Sequence, residues 1–319
     1  MMKTRLLMLS LLSFTLAASV SAWSQTTSDA NVNDPSSSGV EDLSKPNGKE
    51  PPMLGIHWVR GFNPHPRAAA NFFWWGRSPL MTYHNGKIMG TAVTANIFWG
   101  KSWGTYTGDE ISGLDKWYNG FSNSNYSKTS DEYTGTNGQV GAATTYLGSV
   151  IDTSAATGGN STSPILAEVC KAIKPDSSGN YYSVYTDLPR GNANYCAWHS
   201  YGTCNGTPVQ FAFFWKLDGD AGCDPQSTVS GESQGLAALA NVSGHELSEA
   251  RTDPASPGAW YDSSGQENGD KCAWTFNVPS VTFSNGSQWK IQGEWSNAAY
   301  TAGTGYRNSS GQKGCLDGH

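Results

Sequence analysis

Six cysteines, Cys170, Cys196, Cys204, Cys223, Cys272 and Cys315, all stand in the second half of the chain. Whether they can pair depends on the compartment, and the first residues bear on that. Met1-Met-Lys-Thr-Arg5 is basic, Leu6 to Val20 is apolar with small residues interspersed, and Ser21-Ala22 follows. This is the layout of a secretory leader, with cleavage expected after Ala22. The apolar run is too short for a good membrane span, and no later segment approaches the ~20 apolar residues that one requires. The mature chain is therefore expected to be secreted and extracellular, with the periplasm as the alternative compartment. An even number of cysteines there is expected to form three disulfides. Fifteen pairings are open, with Cys196 and Cys204 expected to close a local loop. A zinc ribbon would need Cys-x-x-Cys spacings, and there are none.

Loss of residues 1–22 removes Lys3 and Arg5 and no acid, leaving 18 basic against 26 acidic residues and a net charge of −8. An acidic chain without a basic cluster argues against nucleic acid and against membrane surfaces as partners. Residues 23–52 are rich in Ser, Thr, Asp, Asn and Pro and read as a disordered linker or pro-segment. Residues 53–319 fit one secreted globular domain. Its expected class is α+β, disulfide-bonded, with a mixed or mainly antiparallel sheet and a metal-bearing helix.

The strongest strand signals are Leu80–His84 and Lys87–Trp99 about Asn85-Gly86, which predict a hairpin with a type I′ turn. A second hairpin is predicted about Asn285-Gly286. Strands are also expected at 140–151, 181–188, 209–215 and 273–276. Helices are expected at 109–121 and from Ser163-Pro164 onward. Tyr195–Ser200 reads as a cysteine-bounded loop carrying His199, and Asp218–Cys223 as a turn. His57 and His65 read as loop or core histidines, and the Phe72–Trp75 aromatics as core.

From about Ser233 the pattern is helical, with Leu236, Leu239, Ala240, Ser243, Leu247 and Ala250 on a buried stripe. Asp253 before Pro254 ends this helix. It carries His245-Glu246-Leu-Ser-Glu249, an H-E-x-x-E motif. At about 3.6 residues per turn, His245 and Glu249 share a face, and Glu246 is offset by about 100°. In H-E-x-x-H metalloproteases the same spacing gives two zinc ligands and a general base. A third ligand is expected from the acidic loop beyond the helix, with Glu267 first, Asp262 next, and Asp253 and Asp270 as the other acids. Imidazole favours zinc over calcium, which is the alternative cofactor. The expected site is thus His245, Glu249 and Glu267 on zinc, with Glu246 as the catalytic base. His199 is the reserve candidate.

Several short motifs occur in order: Tyr83-His-Asn-Gly-Lys-Ile-Met89, Tyr195-Cys-Ala-Trp-His199, His245–Pro254, Ala259–Cys272 and Glu294-Trp-Ser-Asn297. Together they resemble the secreted phosphate-induced protein 1 / EXORDIUM-like superfamily, in its bacterial branch, across most of residues 79–315. The resemblance implies an extracellular role and no particular reaction. The H-E-x-x-E helix is a departure from the plant members, so an enzymatic reading rests on that helix. The first expected function is a zinc-dependent hydrolase, a metallopeptidase with an extracellular polypeptide substrate. The alternative is a non-catalytic binding protein for cell-wall glycan, using exposed tryptophans. A glycosidase would need two carboxylates about 5–9 Å apart across an open cleft.

Overall fold

Aromatic and β-branched runs supply six strands to one mixed sheet: β1 (Leu54–Trp58), β2 (Ala92–Trp99), β3 (Thr144–Asp152), β4 (Tyr181–Pro189), β5 (Tyr195–Cys204) and β6 (Thr207–Lys216). Their order is β1-β5-β6-β4-β2-β3. The β6-β4-β2-β3 half is parallel, β5 pairs antiparallel with β6, and β1 pairs antiparallel with β5. The structure, a computed structural model, describes residues 51–62, 64, 78–173, 180–229 and 231–319. The expected leader, nearly all of the 23–52 segment, His65 and the Phe72–Trp75 run lie outside these residues.

Three longer helices pack on the sheet: α1 (Glu110–Phe121), α2 (Thr162–Ala172) and α3 (Gln234–Thr252). Side chains alternate between the faces of a strand, and β5 shows which helix lies where. A Cβ on Gly202 would meet Leu166 of α2, and Trp198 stacks on Phe213 on that same side. His199 points the other way, toward α3. Tyr185 of β4, stacked on Phe214, also reaches α3, its hydroxyl 2.7 Å from Ser243 Oγ. The described residues thus form one disulfide-bonded α+β domain.

Ser233 caps α3 by accepting from the Leu236 amide, and Asp253 ends it, as expected. The burial is greater than a single stripe. Every residue from Gly235 to Thr252 is buried, because the returning segment covers the face turned away from the sheet. The small residues permit this close packing: a Cβ on Gly244 would lie 2.8 Å from the Tyr126 hydroxyl. A fully enclosed helix that carries one histidine, two glutamates and an arginine must find partners for all of them.

Three local expectations are corrected. The Asn85-Gly86 hairpin does not form: only Asn85 takes a positive φ (69°), and Thr82–Tyr83 pairs instead with Trp260–Tyr261. Gly86 is held against the carbonyls of Pro257 and Gly258, so tertiary packing overrides the local turn signal. Tyr195–Ser200 is not a loop but the first part of β5. It is turned into β6 by Asn205-Gly206, whose φ values of 50° and 85° are those of a type I′ turn. The expected strand at 273–276 is absent; Trp274 adopts a left-handed φ of 57° there and its indole donates to the Trp58 carbonyl at 2.9 Å. The hairpin about Asn285-Gly286 does form, pairing Val281–Thr282 with Gln288–Trp289.

Cys196 does not pair with Cys204. The bonds are Cys170–Cys204, Cys196–Cys223 and Cys272–Cys315. The partners are 27 to 43 residues apart and meet through tertiary packing rather than along the chain. Cys272–Cys315 anchors the acidic loop beside α3, with a sequence separation of 43. Chain-entropy arguments put the contribution of such a crosslink at ~4 kcal/mol. The Cys272→Ser/Cys315→Ser double variant should lose about that much stability in urea unfolding, and an unchanged midpoint would contradict the anchoring role.

Candidate metal centre

The helical spacing of H-E-x-x-E does what geometry requires. His245 Nε2 lies 3.0 Å from Glu249 Oε1, without the alignment of a hydrogen bond. The acidic loop returns over this pair. The Asp270 amide donates to Glu249 Oε1 at 2.9 Å, and Asp270 Oδ1 lies 3.8 Å from His245 Nε2. Glu249 Oε2 faces β5, where His199 Nε2 is 3.8 Å away. Glu267 Oε1 lies 3.5 Å from the same His199 nitrogen and accepts from the Gly55 amide of β1 at 3.1 Å. Glu249 therefore stands in the middle, with one oxygen toward His245 and Asp270 and the other toward His199.

The expected site residues are thus brought to one place, with differences in grouping. Glu267 reaches the cluster beside His199. Asp262 does not join it: its carboxylate pairs with Lys271 at 2.7 Å and accepts from the Ser264 and Gln266 amides. Asp253 is occupied by the Ala259 amide at the end of α3. Asp270 and His199 join instead. The Asn205-Gly206 turn was the available signal for His199, since a hairpin there turns the supposed loop into a strand facing α3.

Burial governs the protonation of the cluster. His199 and His245 are fully buried and pushed down to about 3 by loss of hydration, so both imidazoles are neutral. Glu249 is pushed up to about 8 by burial. Glu246, Glu267 and Asp270 are held well above the usual carboxylate range, first by burial and then by neighbouring acids. Among the described residues, no Lys or Arg forms an ion pair with any of these four acids.

Several buried atoms of the cluster have no hydrogen-bond partner: both nitrogens of His199, His245 Nε2, both oxygens of Glu246, Glu249 Oε2 and Glu267 Oε2. Buried polar atoms are rarely left unpaired, and here they converge. Ligand atoms of His199, Glu246 and Glu249 lie within 4.8 Å of one another, as do those of His245, Glu249 and Asp270. Neutral imidazole with carboxylates is a donor set that suits a divalent transition metal.

A second layer fixes His245. Its Nδ1 lies 3.1 Å from Gln292 Nε2, which also donates to the Gly269 carbonyl at 2.9 Å. Gln292 Oε1 faces His57 Nε2 at 3.1 Å and the Trp274 amide at 3.3 Å. The His57 ring packs over His245, with centroids 4.1 Å apart. With the amide so placed, neutral His245 carries its proton on Nε2, facing Glu249. Use of Nε2 as a metal ligand requires the proton on Nδ1 and the Gln292 oxygen turned toward it.

The centre is enclosed. His199, His245, Glu246 and Glu249 are 0% exposed and Glu267 4%. Two cavities, of about 510 and 640 Å³, lie elsewhere, beside Asp109 and Glu232 and beside Asn85–Thr91 and Pro254–Pro257.

Carboxylates raised by burial stabilise the fold fully below their unfolded pKa, and the contribution is lost as pH rises through the folded value. For Glu249 that upper limit is about 8, and for Asp253 about 7. Protein kept in chelator should therefore lose ~5–10 °C of Tm between about pH 5 and about pH 8 by calorimetry. Zinc should abolish the loss. Equal Tm at both pH values in chelator would contradict the absence of a cationic partner.

Comparisons with protein-family models, curated proteins and solved structures give no match to this chain.

Proposed function

We propose that the protein is a secreted zinc-dependent hydrolase, a metallopeptidase acting on extracellular polypeptide. The observation that carries the reading is Glu246: a fully buried carboxylate near the His57 amide but with neither oxygen in a well-aligned hydrogen bond, beside the imidazole of His199 and the carboxylate of Glu249. His245, Glu249 and Glu267 remain the proposed ligands, and His199 is added to them on the strength of its unpartnered Nε2. Bound zinc supplies a Lewis acid and a water acidified toward neutrality.

The chain's own residues do the rest. Glu246 would take a proton from a water molecule as the water oxygen adds to the peptide carbonyl carbon. It then gives the proton to the leaving nitrogen as the C–N bond breaks. A carboxylate raised by burial is suited to both halves of that exchange. His199 and His245 stay neutral and keep their nitrogen lone pairs available as ligands.

A second reading is favoured by the enclosure of the centre. In an EXORDIUM-like extracellular binding protein, the ion would clamp the acidic loop to α3 without catalysis. A row of exposed tryptophans would strengthen it, but among the described residues the least buried, Trp58, Trp260 and Trp274, are half-buried. The proposed secretion draws support from the three disulfides, and among the described residues no helix is long and apolar enough to cross a membrane.

Elemental mass spectrometry beside a peptide-cleavage screen separates the readings. Wild type should carry zinc, with less of it in His245→Ala and least in Glu249→Ala. Glu246→Gln should keep its zinc and lose ~10²–10⁴-fold in cleavage rate. Zinc without cleavage of any peptide would favour the clamp. Wild type purified free of chelator and carrying no metal would end the hydrolase reading.

A further inference from the structure

We propose that the centre binds two divalent cations, bridged by the carboxylate of Glu249. The proposal rests on the metal reading above and goes beyond it in the number of ions and the role of each residue. One ion is assigned to His199, Glu267 and Glu249 Oε2, with Glu246 beside it as the base, and the other to His245, Asp270 and Glu249 Oε1.

The first argument is geometric. Two sets of ligand atoms, His199/Glu246/Glu249 and His245/Glu249/Asp270, each gather within 4.8 Å and share Glu249 alone. The two oxygens of Glu249 face different histidines, at 3.0 Å for His245 and 3.8 Å for His199. Each histidine is completely buried, with an unpartnered Nε2 directed into its own set. Two-ion hydrolytic sites hold their metals about 3.5–4 Å apart, a span that a bridging carboxylate covers.

The second argument is charge. When ionised, Glu246, Glu249, Glu267 and Asp270 bring four negative charges into one cluster, three of them on buried side chains and the fourth on Asp270, whose side chain is 15% exposed. The ammonium of Lys271, whose charge is felt by Asp270, is taken by Asp262 at 2.7 Å. One divalent ion would leave two of these charges uncompensated. Two divalent ions balance the four carboxylates.

The third argument is space. Glycine lies against each side of Glu249. A Cβ on Gly55 would fall 1.9 Å from Glu249 Oε2 and 2.6 Å from His199 Nε2. A Cβ on Gly269 would fall 2.9 Å from Glu249 Oε1 and 2.8 Å from His245 Nδ1. The chain thus leaves out a side chain beside each half of the cluster.

Gln292 links the second ion to its surroundings. An ion on His245 Nε2 moves the ring proton to Nδ1, and the turned amide accepts it through Oε1. The amide nitrogen then donates to His57 Nε2, leaving the His57 Nδ1 proton for the Trp58 carbonyl 3.2 Å away. These bonds replace those to Gly269 and Trp274. Gln292 is a positioning residue here, since it touches neither ion.

Native mass spectrometry of the full exported chain, titrated with zinc after dialysis against chelator, counts the ions directly. Wild type should take up two per chain. His199→Ala and His245→Ala should each keep one, and Glu249→Gln should lose at least tenfold in affinity for both. Manganese-loaded wild type should give an exchange-coupled electron paramagnetic resonance spectrum, a readout that needs no variant. One zinc per chain, with an uncoupled manganese spectrum, overturns the two-ion proposal and leaves the single-zinc hydrolase intact. No zinc at all removes both.

Discussion

The structure is built around the cost of burying carboxylates. Glu246 and Glu249 sit on a helix enclosed along its whole length, and Glu267 and Asp270 are brought against it from a loop. Four acids in such a place cost several kcal/mol each if ionised and unpaired. Elsewhere the chain solves this problem with its own cations: Glu110 has Lys216, and Asp262 has Lys271. Around Glu249 it offers neutral imidazoles instead. A cluster of this composition is better suited to a metal cation than to any side chain present.

The fold spends much of its polar structure on holding that helix in place. Arg251, fully buried two residues beyond the motif, donates to the carbonyls of Ser127 at 2.9 Å and Gly141 at 2.8 Å. Tyr126 reaches across the Gly244 gap and donates to Glu294 at 2.7 Å. Asn241 accepts from the Gln292 amide, so the helix also fixes the residue that orients His245. The Cys272–Cys315 bond closes the loop above it. The ligand positions therefore come from a strand, a helix and an anchored loop, which favours a fixed geometry over one assembled on binding.

What the sequence revealed follows from the range of the interactions involved. The motif helix was legible because its signals are local: Ser233 at one end, Asp253-Pro254 at the other, and small apolar residues between. The mixed sheet was legible in class but not in pairing. Asn85-Gly86 carries a strong local turn signal, yet its neighbours pair with Trp260–Tyr261 and with the Pro257–Ala259 backbone. Asn205-Gly206 carries the same signal and obeys it, which makes Tyr195–Cys204 a strand and aims His199 at Glu249. Gln292 and His57 gave no local sign of their role. Their contacts join residues 235 positions apart, and nothing in a short window encodes that. The number of disulfides was legible and their pairing was not, for the same reason, since Cys204 meets Cys170 only once β5 lies over α2.

The central claim is that Glu249 and its neighbours hold a metal cation. Crystals grown from exported protein without chelator, with diffraction recorded on either side of the zinc absorption edge, test it most directly. The account predicts an anomalous difference peak beside Glu249, within bonding distance of a histidine nitrogen. Density for water alone among these side chains, with no anomalous signal and the carboxyl groups hydrogen-bonded to one another, would contradict it.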